Sequence, residues 1–328
     1  MASAAQTRRK QWPIPKIAPA TRRAARRAGD DYGVTARPDW RERDWPAHLH
    51  QVEIAGRQVN YADLGTGSAT PVVFVHGLGG QWQNWLENMP RFAEKRRVVA
   101  LDLPGFGCSE MPTEEISIPG YARTVEALCE RLELGPCVVV GNSMGGFVAT
   151  ELAIRFPERV EQLVLVSPAG ITATQVRKRP IMTAVRVGMA LTAATASQLD
   201  RMALRPGLRH LALAWVARHP SRLAPDLVYQ GMMLGADKPG FFGALAANLD
   251  YDFRDRLGEV ACPTLLVWGR QDMIIPVRDA DEFERLIPNV EKVILEDTGH
   301  VGMIERPETF NGLLADFIAG RDAAADAA

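Results

Sequence analysis

The amino-acid sequence predicts an α/β fold in which helices cover both faces of a mostly parallel sheet. Short apolar runs recur along the chain, and each of them ends abruptly in a glycine-rich or polar loop. Helical patterns occupy most of the intervals between these runs. Residues suited to nucleophilic and acid–base chemistry follow directly after the runs, at the sheet edge where such proteins place their active sites.

Each predicted strand corresponds to one of these runs. Alternation of apolar and polar residues on either side of Gly56 predicts a hairpin, and the later runs predict strands buried on both faces. The strands are expected at residues 50–54, 57–63, 71–75, 98–101, 137–140, 163–166, 264–268 and 292–295. The helices are expected at residues 121–132, 146–156, 278–287 and 307–318.

One long interval interrupts this alternation. Residues 171–255 contain helical patterns divided by prolines and no good strand, over a length that far exceeds an ordinary crossover. We interpret this interval as a helical lid inserted above the strand ends. The core is then formed by residues 47–170 and 256–320, and the alanine-rich residues 321–328 are expected to be a flexible tail.

The N-terminal segment differs in charge from the rest of the chain. The 328 residues carry a formal net charge of −1, so nucleic acid is not an expected partner. Residues 1–50 nevertheless hold eleven basic and five acidic residues, and the first 27 residues contain no acid. We expect residues 1–46 to form a flexible extension, which is either simply solvated or in weak contact with an anionic membrane surface.

The twin arginines of this segment do not form a secretion signal. Neither Arg8-Arg9 nor Arg26-Arg27 precedes the apolar stretch that such a signal requires, and no apolar run is long enough for a transmembrane helix. The four cysteines form no CxxC pair and no cluster with histidine. We therefore expect a cytoplasmic protein without a metal or cofactor.

The first chemical motif is GNSMG at residues 141–145, which matches the pattern G-x-S-x-G. It follows the run at 137–140 and opens a helical pattern, so the chain must turn sharply at Ser143. Glycine allows the close approach of the flanking backbone, and the N-terminus of the following helix favours developing negative charge. We predict that Ser143 is a nucleophile whose turn is supported by Gly141 and Gly145.

His300 and Asp272 are the predicted partners of Ser143. His300 follows the last apolar run, and a neutral imidazole there can accept the serine proton and return it to the leaving group. Asp272 follows the run at 264–268, where its carboxylate can orient the imidazole. Asp297 is a rival acid, although residues so near in sequence seldom face each other across a site. Weaker rivals are Asp102, which is expected to brace its own loop, Asp250 and Asp252.

The glycine-rich loop HGLGG at residues 76–80 follows another buried run. Such a loop can point a backbone N–H at a substrate oxyanion, and we predict that the N–H groups of Leu78 and Met144 form the oxyanion hole. The alternative is a simple glycine-rich turn. The supporting residues of the loop are His76, Gly77 and Gly79. The histidine is expected to hold the loop by hydrogen bonds rather than to act as a base.

From about residue 50 to residue 320 the chain resembles the α/β-hydrolase superfamily. The matching stretches are HGLGG, DLPGFGCS, GNSMGG, GRQD and DTGHVGMIERPETF, and the chain order Ser, Asp, His is the order of that superfamily. The resemblance implies an eight-stranded sheet with a helical cap, and it assigns nucleophile, acid and base to Ser143, Asp272 and His300. The C-terminal motif is similar to esterases and monoacylglycerol-type lipases, and GNSMGG is similar to carbon–carbon hydrolases that cleave ring-fission products.

These features predict hydrolysis of a carboxylic ester through an acyl-enzyme. The apolar stretch at 181–196 in the lid and several soft apolar residues favour an apolar acyl or aromatic substrate. The alternative is that these residues only pack the lid onto the core. Those residues are Met202, Met232, Met233, Phe241 and Phe242, whereas Trp82 and Trp85 are expected to serve packing. Two alternatives stay open: hydrolysis of a carbon–carbon bond in a vinylogous diketone, and a non-catalytic ligand-binding receptor or scaffold on the same fold.

Overall fold

The centre of the molecule is a twisted sheet of seven strands, seen in a computed structural model that describes residues 18–172, 178, 182–183, 199–233 and 238–325. The strands are β1 (Leu49–Ile54), β2 (Arg57–Val75), β3 (Arg96–Leu101), β4 (Cys137–Asn142), β5 (Val160–Val166), β6 (Thr264–Gly269) and β7 (Val290–Leu295). Their order is β1-β2-β4-β5-β6-β7, with β3 paired to β2. Only β1 runs antiparallel to its neighbour among these described strands, so the predicted mostly parallel sheet is confirmed.

The expected eighth strand is wrong, because two of the predicted runs belong to one strand. The runs at 57–63 and 71–75 both lie in β2, which continues through the glycine-rich residues between them. There the backbone of β2 lies against the turn before β3: a Cβ added to Gly67 would lie 1.9 Å from the carbonyl oxygen of Lys95. The pairing of β2 with β3 shifts in register along this stretch, and extended structure persists where the apolar pattern is lost.

The helices surround the sheet. They are α1 (Arg22–Ala25), α2 (Met89–Phe92), α3 (Ile118–Arg131), α4 (Met144–Arg155), α5 (Leu199–Leu204), α6 (Pro206–Leu213), α7 (Pro225–Val228), α8 (Phe241–Asp250), α9 (Arg278–Leu286), α10 (Gly302–Glu305) and α11 (Pro307–Ala325). The four predicted helices are confirmed as α3, α4, α9 and α11. Ser117 caps α3 by accepting a hydrogen bond from Gly120 N at 3.1 Å, as a serine at this position is expected to do.

The C-terminal tail is shorter than predicted. Residues 321–325 continue α11, since alanine is the strongest helix former and extends a helix that has already begun. Residues 326–328 lie outside the described part of the chain.

Both faces of the sheet carry an apolar layer. Phe147 and Trp268 belong to one layer, and Phe74 and Trp85 belong to the other. The rings of Phe74 and Trp85 lie 4.7 Å apart between centroids, and both are fully buried. Trp82 is buried as well, so both tryptophans after the HGLGG loop pack as expected.

The prediction of a flexible N-terminal extension is wrong for residues 18–46. Tyr32 and Trp40 are buried, and each donates a hydrogen bond to a buried carboxylate of the core. The Tyr32 hydroxyl lies 2.6 Å from Glu305 Oε2, and Trp40 Nε1 lies 3.0 Å from Glu87 Oε1. Burial of two aromatic rings stabilises this segment against the core, although its sequence is polar and basic. Residues 1–17 lie outside the described residues.

The interval between β5 and β6 holds α5 to α8 and a π-helical turn at Tyr229–Met233. Its described residues form helices and loops without a strand, in agreement with the helical pattern of the sequence. Most of the apolar stretch at 181–196, on which the expectation of an apolar substrate partly rests, lies outside the described residues. No helix that the structure describes has the length and apolar character needed to cross a membrane.

Candidate active site

Ser143 lies at a strained turn between β4 and α4. Its φ angle is +56°, a conformation that side chains other than glycine rarely adopt. The backbone on either side is so close that no larger residue than glycine fits. A Cβ on Gly141 would lie 2.3 Å from the carbonyl oxygen of Gly145, and one on Gly145 would lie 2.1 Å from that of Val75. This crowding explains the spacing of the two glycines and presents Ser143 at the carboxyl end of the sheet.

His300 and Asp272 form a buried pair beside this turn. The imidazole Nδ1 lies 2.7 Å from Asp272 Oδ2, and the carboxylate can only accept there, so Nδ1 carries the proton. The other oxygen, Oδ1, accepts hydrogen bonds from the backbone N–H groups of Ile274 at 2.8 Å and Ile275 at 2.9 Å. Both oxygens of Asp272 are therefore held, and this bond orients the ring so that Nε2 is the nitrogen available to act as a general base.

The rival acids have other partners. Asp297 accepts hydrogen bonds from Arg218 Nε at 3.1 Å and His219 Nε2 at 2.8 Å, in the interval between β5 and β6 rather than at His300. Asp102 accepts from the backbone N–H groups of Trp82 at 2.8 Å and Cys108 at 2.9 Å, so it braces its loop as expected. The remaining rivals pair with basic residues, Asp250 with Lys178 and Asp252 with Arg254.

Asn142 joins the nucleophile turn to the histidine loop, a role that the sequence did not suggest. Its buried side-chain amide donates to the carbonyl oxygens of Val166 at 3.0 Å and His300 at 3.3 Å. The Ser143 hydroxyl itself makes no hydrogen bond to His300 among the described residues. Such catalytic hydrogen bonds are often long before substrate binds and shorten in the reacting complex.

The HGLGG loop lies directly against Ser143. A Cβ added to Gly77 would lie 3.1 Å from the Cβ of Ser143. The N–H groups of Leu78 and Met144 donate to no acceptor within the described part of the chain, and Met144 is the first residue of α4, where helix N–H groups have no intrahelical partner. Two free N–H groups next to the serine are the arrangement that an oxyanion hole needs.

His76 is fully engaged in holding this loop. Its Nδ1 lies 2.7 Å from the carbonyl oxygen of Gly77, and its Nε2 accepts a hydrogen bond from Leu103 N at 2.9 Å. Burial lowers the pKa of His76, which favours the neutral ring. Because neither ring nitrogen is free, His76 acts structurally and not as a base.

Glu305 organises the histidine loop from behind, and sequence reasoning missed it. This fully buried carboxylate accepts hydrogen bonds from the N–H groups of Gly299 at 3.0 Å and Val301 at 3.3 Å, on either side of His300. It also accepts from Arg218 N at 2.7 Å and from Tyr32 Oη at 2.6 Å. Burial raises the pKa of Glu305. Its place in the C-terminal motif was the available signal, but the sequence does not reveal its partners.

The interval between β5 and β6 reaches the same loop. The backbone N–H of His300 donates to the carbonyl oxygen of Val216 at 2.8 Å. The Gly299 position is crowded on this side, since a Cβ there would lie 2.8 Å from the same oxygen. The histidine loop is therefore clamped between the sheet, Glu305 and the segment after α6.

Known proteins resemble the chain over most of its length. The chain is 34% identical to a dihydrolipoyllysine-residue acetyltransferase component of an acetoin cleaving system from Pseudomonas putida, over 82% of the chain and 68% of that protein. It is 32% identical to a 2-hydroxymuconate semialdehyde hydrolase from Pseudomonas sp. (strain CF600), over 84% of the chain and 95% of that protein.

A solved structure of a membrane phospholipase A, described as a bacterial virulence factor, is 28% identical and superimposes with a TM-score of 0.63, over 84% of the chain and 87% of that structure. The family described as the alpha/beta hydrolase fold matches residues 70–307, which include Ser143, Asp272 and His300. Because this match covers well over half of the chain, the protein belongs to the α/β-hydrolase family.

Proposed function

We propose that the protein hydrolyses carboxylic esters through an acyl-enzyme. The observation that carries this proposal is the buried hydrogen bond between His300 and Asp272 beside the strained turn of Ser143. A purely ligand-binding protein would need neither a correctly protonated base nor an acid to orient it. This geometry argues against a receptor or scaffold without catalysis.

The reaction begins with attack by Ser143 Oγ on the ester carbonyl carbon. His300 Nε2 takes the serine proton, and Asp272 stabilises the imidazolium and holds its orientation. The negative oxygen of the tetrahedral intermediate accepts hydrogen bonds from the N–H groups of Leu78 and Met144. The alcohol leaves with the proton from His300. Water, deprotonated by the same histidine, then releases the acid and regenerates Ser143.

The resemblance to a phospholipase A supports ester chemistry, since that class of enzyme cleaves carboxylic esters. An apolar acyl group suits the soft residues of the lid. Met232, Met233 and Phe241 are half-buried and pack against the core layers, so they serve packing at least in part.

The test is hydrolysis of p-nitrophenyl esters from acetate to palmitate by wild type and by Ser143→Ala. Removal of the nucleophile is expected to lower kcat by about 10⁶. Ser68→Ala, which truncates an exposed serine of β2, is the matched control and should retain wild-type activity. If wild type hydrolysed every ester no faster than Ser143→Ala does, the proposal would be refuted.

Carbon–carbon bond hydrolysis is the second candidate. It is favoured by the 32% identity to a 2-hydroxymuconate semialdehyde hydrolase across nearly all of that protein. The resemblance to that branch is incomplete, because Val301 follows His300 where those enzymes carry tryptophan. A chromogenic dienoate substrate separates the two candidates. Faster turnover of the dienoate than of any ester would assign the chain to carbon–carbon hydrolysis.

A further inference from the structure

The outer side of the lid carries a row of exposed apolar residues, which we call the lid stripe. It consists of Leu204, Leu208, Leu211 and Trp215, which are 66%, 37%, 80% and 56% exposed. Leu208 and Leu211 lie one turn apart on α6, Trp215 lies in the turn that follows α6, and Leu204 ends α5 just before it. Single exposed leucines are ordinary, but several large apolar side chains exposed along one helix and its two ends are typical of an interaction site.

The opposite side of α6 is already packed. Arg209, His210 and Leu213 are buried there, and the Arg209 guanidinium donates to the backbone carbonyl oxygens of Pro220 at 3.2 Å and Ser221 at 3.1 Å. The helix is therefore fixed to the molecule through one face, and among the described residues nothing packs over the exposed side chains of the lid stripe.

The neighbourhood of the lid stripe is strongly basic. The segment around α1 lies beside α6: Arg22 Nη1 is 3.3 Å from the position that a Cβ on Gly207 would take. The exposed arginines of this segment and of the residue before α6 are Arg22, Arg23, Arg26, Arg27 and Arg205, of which Arg23 and Arg27 line a depression together with His219 and Asp297. None of them forms an ion pair with the described residues, and residues 1–27 contain no acid that would neutralise them.

We propose that the lid stripe and the arginines beside it dock the protein on an anionic lipid surface. Leucine side chains on one face of a helix enter the boundary between headgroups and acyl chains, and tryptophan prefers that boundary. Unpaired arginines bind the lipid phosphates by charge and hydrogen bonding. The combination of apolar row, tryptophan and unneutralised positive charge fits a lipid surface better than a protein partner.

Docking at this place would hold the lipid against the segment that clamps the histidine loop. Trp215 immediately precedes Val216, whose carbonyl oxygen accepts the hydrogen bond from His300 N. The lid stripe is thus separated from the histidine loop by a single residue of chain.

The test measures co-sedimentation of the full chain with vesicles of phosphatidylcholine alone and of phosphatidylcholine with about one third phosphatidylglycerol. Wild type should bind the anionic vesicles and lose most of that binding at about 0.5 M salt. The double variant Leu211→Ser/Trp215→Ser should bind at least about tenfold more weakly. Arg22→Gln/Arg26→Gln should bind about tenfold more weakly to anionic vesicles only.

Leu49→Ser is the matched control, because Leu49 is an exposed leucine on β1 and outside the lid stripe. It should bind as wild type does, and all variants should keep the wild-type thermal unfolding, since the changed side chains are exposed. Three results would each overturn the proposal. The first is that wild type does not bind anionic vesicles. The second is that Leu211→Ser/Trp215→Ser binds them as well as wild type does. The third is that wild type self-associates and binds no vesicles, and that Leu211→Ser/Trp215→Ser no longer self-associates.

Discussion

The candidate active site and the N-terminal segment at residues 18–46 are held in place in different ways. The nucleophile turn is stabilised locally, by glycines whose spacing permits one backbone path and by a strand and a helix adjacent in sequence. The N-terminal segment has little regular structure of its own and is held by distant carboxylates. Local sequence patterns therefore predict the first region, whereas the position of the second follows only from contacts in the tertiary structure.

The two regions meet at Glu305. On one side this carboxylate orders the backbone around His300, and on the other it binds the hydroxyl of Tyr32. The N-terminal segment is therefore linked to the loop of His300 by one buried side chain. Variants that disturb each region separately test how strongly the two regions are coupled.

After the loss of the nucleophile itself, the largest expected effect is that of Asp272→Asn. An amide can present the wrong group to Nδ1 and favour the wrong imidazole tautomer, so kcat on a p-nitrophenyl ester should fall by about 10⁴ while the fold is retained. Asp297→Asn is the matched control, because it changes the rival acid, and its activity should stay within about tenfold of wild type. A larger loss in Asp297→Asn than in Asp272→Asn would reverse the assignment of the acid.

Glu305→Gln should have the next largest effect, this time on stability. In wild type several N–H and O–H donors share the Glu305 carboxylate, and in the variant the NH₂ group of the glutamine would face some of these donors. We therefore expect a loss of roughly 3 to 5 kcal/mol in the free energy of unfolding. Tyr32→Phe removes one of these donors and leaves the N–H of His219 without its acceptor, so it should cost about 1 to 3 kcal/mol. Urea unfolding of both variants and of the double variant measures the coupling between the two side chains.

Glu308→Gln is the control for this series, because Glu308 is an exposed carboxylate of α11 that accepts from Arg37 N at 2.8 Å. Its unfolding free energy should lie within about 0.5 kcal/mol of wild type. If Glu305→Gln were as stable as this control, the carboxylate would not organise the two regions.

Glu87 gives a smaller, pH-dependent effect on the N-terminal segment. Its carboxylate accepts from Ala36 N at 2.7 Å and Trp40 Nε1 at 3.0 Å, and burial raises its pKa from 4.5 to about 7. A raised carboxyl pKa means that the folded protein holds a proton that the unfolded chain releases. The stabilisation by this group is therefore fully present below about pH 4.5 and is lost as the pH rises through 7.

Glu87→Gln cannot ionise and should lack this dependence. The free energy of unfolding of wild type, relative to the variant, should fall by up to about 3 kcal/mol between pH 4.5 and pH 7. Urea unfolding at several pH values measures this difference. Parallel pH profiles for the two proteins would contradict the raised pKa.

The sequence predicted the parts of the fold in which residues near one another in the chain carry the information. The buried strands, the four long helices and the loops that carry Ser143, Asp272 and His300 follow from apolar runs and from the residues that end them. The eighth strand was an error because β2 stays extended through residues without an apolar pattern, held by pairing with β3. Glu305 and Asn142 were missed because their roles depend on partners far away in the chain.

The sequence alone determined the chemistry available at the strand ends, because a strand, a sharp glycine turn and a helix are specified by neighbouring residues. It also determined the mostly parallel sheet, since alternating strands and helices allow few other arrangements. Only the tertiary structure decided that Asp272 rather than Asp297 lies against His300, and that a basic and polar N-terminal segment packs onto the core. Those outcomes rest on contacts between residues far apart in the chain, whose free energies appear only when the surfaces meet.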